Sequence, residues 1–144
     1  MKRTLFVILI SAFLSACAKN AVSVDIANVC AADNEKKYVS TSGFLDDRGS
    51  IFCSNIGGGP VRCMMDVAAK AGDKKVLAAD IEQGSSSSEI EKLESSYKRD
   101  DIKVHDNSGA VIKLTDKVTL TGQMSIAPDG SVCFMTVDKI EKAQ

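Results

Sequence analysis

Apolar and polar positions along the chain follow three regimes. Residues 5–14 (LFVILISAFL) are an apolar run interrupted only by Ser11. It is too short to cross a bilayer as a helix and has the length of a secretory h-region. Residues 25–34 place Ile26, Val29 and Cys30 at helical spacing, which predicts one or two helical turns. From residue 38 onward a period of two dominates, broken by turn signals. Strands are predicted over residues 38–45, 50–54, 61–69, 76–82, 102–104, 110–114, 118–124 and 131–140. Turns are predicted at 46–49, 71–74, 105–109 and 127–130, with a three-glycine loop over 55–60 and a polar break at 84–88. One further helix is predicted over residues 88–97. Ser88 and Glu91 have the capping-box spacing, Ile90, Leu93 and Tyr97 follow at helical intervals, and Lys98-Arg99 suits a helix C-terminus.

The apolar run follows a basic Met1-Lys2-Arg3 and ends in Leu14-Ser15-Ala16-Cys17. Residues 1–17 resemble the signal and lipobox of bacterial lipoproteins. The resemblance implies a diacylglyceryl group on the Cys17 sulfur, cleavage before Cys17, and acylation of the new amino group. Two or more acyl chains anchor stably where one binds only reversibly. Ala18 stands where Asp would retain a lipoprotein at the inner membrane of an enteric-like Gram-negative cell. By the same resemblance, the expected location is the periplasmic face of the outer membrane. The organisation expected is a cleaved signal over 1–16, a lipidated N-terminus and tether over 17–24, and one domain over 25–144.

Cleavage leaves 128 of the 144 residues, with 16 basic against 19 acidic side chains and a net charge of −3. That length suits a single core. Its mild acidity and five remaining aromatics, without a Trp, disfavour a nucleic-acid partner. With Cys17 lipidated, Cys30, Cys53, Cys63 and Cys133 are left in an oxidising compartment, where they read as two disulfides. Four cysteines allow three pairings. Cys53 and Cys63 lie symmetrically about Gly58, and a hairpin there sets them opposite one another at disulfide distance. That pairing leaves Cys30 with Cys133. No CxxC or His spacing suits zinc, and no carboxylate pattern suits an EF-hand, so no metal or cofactor is expected.

The segments KKYVSTSGFL and DKVTLTGQM share an alternation ending in glycine, and SVCFMTVDKIEK reads as a closing strand. Together they resemble an oligonucleotide/oligosaccharide-binding (OB) fold: three strands, a helix, then two strands that close a barrel at the glycines. The strand over 76–82 is extra to that pattern, and residues 102–114 read as an insertion. The expected class is mainly β with one or two short helices, a small disulfide-stapled OB-like barrel. Another small α+β domain is the alternative.

Candidate chemistry is sparse. His105, the only histidine, reads as a solvated turn residue, as do Asp46-Asp47, Asp100-Asp101 and Asp129. Serines 85–88 lack a nucleophile motif. No catalytic residue is assigned. Phe52, Met64 and Phe134 each adjoin a cysteine, so core-facing cysteines would put all three on the outer face as a candidate interaction surface. The competing arrangement covers them with the N-terminal segment or the 88–97 helix, or turns the cysteines outward. The functional expectation is a membrane-anchored, non-catalytic binding module whose partner is an envelope protein, a small ligand or a glycan. The alternative is a structural or assembly subunit of an envelope complex.

Overall fold

The computed structural model describes residues 19–143, and of Ile56 its backbone alone. The predicted signal over 1–16, Cys17 and Ala18 lie outside the described residues. Among the described residues the chain forms ten strands: β1 (Val22–Ser23), β2 (Tyr38–Asp46), β3 (Phe52–Ser54), β4 (Arg62–Ala68), β5 (Lys75–Gly84), β6 (Ile90–Glu91), β7 (Val104–His105), β8 (Val111–Ile112), β9 (Lys117–Ile126) and β10 (Cys133–Lys142). Single 3-10 turns occupy Ile26–Asn28, Ala32–Asn34, Ile56–Gly58 and Arg99–Asp101.

Five long strands close a barrel. β2 pairs antiparallel with β4, β4 with β5, β10 with β9 and β9 with β2, while β5 and β10 run parallel. This is the five-stranded Greek-key barrel of an OB fold. Period-two alternation builds its core. Val39, Thr41 and Leu45 of β2, Cys63, Met65 and Val67 of β4, and Val118, Leu120 and Met124 of β9 all point inward and are buried. On β10 a bulge between Val137 and Lys139 shifts the inward row, which reads Met135, Val137 and then Ile140. Gly43 and Gly122 sit on inward rows of β2 and β9, where backbones approach closely. A Cβ at Gly43 would lie 2.8 Å from the Ala68 carbonyl oxygen, and one at Gly122 only 2.0 Å from that of Thr136.

Two expectations need correction. The strand extra to the barrel is β3, not the segment around 76–82. β3 has three residues and lies in the β2–β4 connection, whereas β5 has ten and forms the barrel's third wall. No helix forms over 88–97. Ser88 adopts φ +57°, and its hydroxyl accepts from the Ile140 N–H at 3.0 Å instead of capping a helix. Ile90 is extended, pairs with Gln83 and Val104, and is completely buried. A cap contributes about 1 kcal/mol and a helix this short is marginal alone. Burying Ile90 contributes about 2 kcal/mol and adds strand pairing.

The insertion between β5 and β9 therefore closes its end of the barrel with β6, β7 and β8. Ile90, Ile102, Val104 and Ile112 join the barrel's own core. At the other end Val29 is fully buried and Cys30 packs beside it. The disulfide Cys30–Cys133 ties this segment to β10, and Cys53–Cys63 ties β3 to β4.

Candidate functional site

The outer face beside the disulfides carries the clearest site. β3 and β4 pair with Phe52 opposite Met64, Cys53 opposite Cys63 and Ser54 opposite Arg62. Cys63 is fully buried, so its neighbours Met64 and Arg62 face outward by alternation. Cys133 is held by Cys30, and Phe134, one residue on, likewise turns out. Phe52, Met64 and Phe134 converge on one open depression of about 320 Å³ that also includes Pro60. Among the described residues neither the N-terminal segment nor the insertion lines it. Phe52 is 70 % exposed, and Met64 and Phe134 are half-buried.

Arg62 and Asp80 supply the polar part of this depression. The guanidinium donates from Nε to Asp80 Oδ2 at 3.0 Å, from Nη1 to Glu82 Oε2 at 3.3 Å, and from Nη2 to the Asp80 carbonyl at 2.7 Å. One arginine thus meets two carboxylates, and the local charge balance is negative. Such a surface repels phosphate-bearing ligands. It offers an aromatic and thioether platform whose polar edge is fixed in direction by paired side chains.

A second concavity, of about 560 Å³, adjoins β1, β2 and β9 and is lined by Ser23, Ser40, Ser42 and Thr119. Three of its hydroxyls, those of Ser40, Ser42 and Thr119, are engaged in cross-strand hydrogen bonds. Ser42 and Thr119 form a 2.9 Å hydrogen bond, and Thr121 donates to Ser40 at 3.2 Å. These are the polar positions of the YVSTSGFL and KVTLTG alternations, and the register pairs Ser42 with Thr119 and Ser40 with Thr121.

His105 is not a solvated turn residue but a buried tie. Nδ1 lies 2.9 Å from the Gly109 carbonyl oxygen and Nε2 lies 2.9 Å from Glu91 Oε1. Both partners accept, so both ring nitrogens donate only when the ring is an imidazolium. The Gly109 carbonyl and then the Glu91 carboxylate hold its pKa above the ordinary histidine value. Asp46-Asp47 is likewise no simple solvated turn. Asp47 is 4 % exposed and pairs with Arg99, which also donates to Asp46 at 2.9 Å. Burial opposes ionisation of Asp46, but the Arg48 backbone N–H and the Arg99 guanidinium outweigh it and hold the carboxyl below its usual range. Asp129 accepts from Ser131, as a turn residue should.

The disulfide pairing read from the sequence is the one observed, and of the two arrangements the sequence left open for Phe52, Met64 and Phe134 the structure has the outer-face one. Sequence reasoning missed Arg62, Asp80 and Pro60, whose roles depend on which strands become neighbours. Among the described residues no group of three or more His, Cys, Asp or Glu side chains is placed to hold a metal ion. No helix there is long and apolar enough to cross a membrane. No family model, curated protein or solved structure matches the chain.

Proposed function

We propose that this chain is a non-catalytic binding module, lipidated on Cys17 and held on the periplasmic face of a Gram-negative outer membrane. Its binding surface is the depression formed by Phe52, Met64 and Phe134. The observation that carries this reading is their convergence, Phe52 from β3, Met64 from β4 and Phe134 from β10, on an open depression that Asp80 of β5 also lines, so that it lies across the outer face of the second and third barrel walls between the β2–β4 connection and the β9–β10 turn. OB barrels use that face and those loops for their ligands. The negative balance around Arg62 favours an uncharged ligand, such as a glycan ring stacked on Phe52 and Phe134, over nucleic acid.

The second reading is an assembly subunit of an envelope complex. β3 ends the sheet order, and an edge strand beside an exposed phenylalanine suits strand addition by a protein. Affinity capture from detergent-solubilised membranes, comparing the native chain with the Phe52→Ser/Phe134→Ser chain, tests both. A glycan or small ligand recovered only with the native chain supports the binding module. A stoichiometric protein recovered only with the native chain supports the assembly subunit. Recovery unaffected by the substitutions removes this face from either role. Membrane fractionation of Cys17→Ser tests the anchor separately, since retention after an alkaline wash would exclude it.

A further inference from the structure

We infer that the barrel end carrying Lys19, Val22 and Lys37 is a lipid-contacting face, set against the headgroups of the bilayer that holds Cys17. The insertion at the opposite end then points away from that bilayer. This orientation rests on the lipidation proposed above.

The leash has almost no slack. Residues assigned to the tether belong to the barrel: Val22 pairs with Val39, Ser23 with Ser40, and the Val24 N–H donates to the Ser40 carbonyl at 2.9 Å. Lys19 already lies on the domain, with Nζ 5.4 Å from the centre of the Tyr38 ring. Cys17 is two peptide steps from Lys19, and two steps of 3.80 Å between Cα atoms span at most about 7.6 Å. The seven-residue rise along β9 from Lys117 to Met124 is about 23 Å. A lipid held on so short a lead brings to the membrane the end from which the chain emerges.

That end is identified by strand direction. β1 runs parallel to β2, so both begin there. Lys36 and Lys37 immediately precede β2, and their backbones pair with Met124 near the far end of β9, at 3.1 and 2.9 Å. Both lysines are exposed, and Val22 is 54 % exposed beside the tether. Lysines extend their ammonium groups to phosphates while an exposed valine meets the interfacial boundary. Asp25 and Asp33 share this region and offset much of the charge. Orientation is therefore set by the length of the leash more than by electrostatic attraction. Thr115, exposed just before β9 begins, marks the other end.

The chain contains no Trp, so one introduced indole is a unique donor. The test uses the full lipidated chain as K37W, V22W or T115W on phosphatidylethanolamine/phosphatidylglycerol vesicles carrying dansyl-labelled headgroups. All three positions are exposed, so each variant keeps the core intact. K37W and V22W are expected to transfer energy several-fold more than T115W. A twenty-residue Gly/Ser insertion between Ala18 and Lys19 is expected to erase most of that difference. Equal transfer, or greater transfer from T115W, in a chain whose intact mass shows the acyl groups overturns the orientation alone. A mass without acyl groups overturns the lipidation reading and the orientation with it.

Discussion

Gly122 lies where a Cβ would sit 2.0 Å from the Thr136 carbonyl oxygen and 3.0 Å from the Met135 side chain. The first contact is backbone, so β9 and β10 would have to separate. Gly122→Ala is expected to destabilise the domain by about 3 kcal/mol in urea titration, at the upper end of overpacking costs. An unchanged midpoint would show that the strands part freely there. Thr41 presents the converse case. Its hydroxyl is buried within the barrel and has no hydrogen-bond partner among the described residues. Thr41→Val replaces it with a methyl of similar shape and should raise stability by about 1 kcal/mol in the same assay; a loss of stability would mean that the hydroxyl is solvated. At this scale sequence patterning reached the glycines, because each ends an alternating run, and it reached Phe52, Met64 and Phe134, because alternation against a cysteine is local. It did not reach His105 or Asp47. Glu91 lies 14 positions from His105, and Arg99 lies 52 from Asp47, so neither partnership leaves a local trace.

The insertion between β5 and β9 shows how an element can be misread from strong local signals. Ser88, Glu91 and the Ile90-Leu93-Tyr97 spacing all favour a helix, yet Ile90 is drawn into the core and the segment extends. What holds it is polar as well as apolar. The Ser86 backbone N–H holds Glu89 below its ordinary pKa, the Ser108 hydroxyl does so for Asp106, and the Lys142 ammonium for Asp116. These carboxylates contribute stability above about pH 4, where the unfolded groups are ionised, and lose it as pH falls. His105 works in the opposite direction. Its folded pKa is raised, so its contribution is complete below the unfolded value of about 6.5 and is lost as pH rises through the folded value. Glu89, Glu91, Lys103 and Asp106 are charged groups near it, and Glu91 is held low first by the His105 hydrogen bond. The thermal midpoint is expected to fall on both sides of a mildly acidic plateau. In His105→Gln the alkaline fall should disappear while the acid fall remains. A native profile flat from about pH 5 to about pH 9 would show that the His105–Glu91 tie does not stabilise the insertion.

At the scale of the whole molecule, the barrel was legible because its five walls are long alternating runs. What was misjudged was which short run lay outside it. Residues 50–54 looked like a wall and are an outrigger on β4, since three residues cannot cover a barrel side built elsewhere from seven to ten. The two disulfides divide the work accordingly. Cys53–Cys63 closes 10 residues of sequence and pins that outrigger, while Cys30–Cys133 closes 103 and joins the N-terminal segment to the last strand. Loop-closure entropy grows with the logarithm of span, which gives about 3 kcal/mol for the first and about 5 kcal/mol for the second. Cys30→Ser/Cys133→Ser should therefore lower unfolding stability more than Cys53→Ser/Cys63→Ser, measured in urea on the oxidised domains. The ligand surface should respond in the reverse order. Phe52 sits on β3 beside Cys53, so releasing the shorter bridge should weaken capture of the partner even where the domain remains folded. Releasing the longer bridge should leave that capture intact below the unfolding transition. If both pairs of substitutions reduce capture in proportion to stability, the outer face depends on global folding and Cys53–Cys63 has no separate part in presenting Phe52.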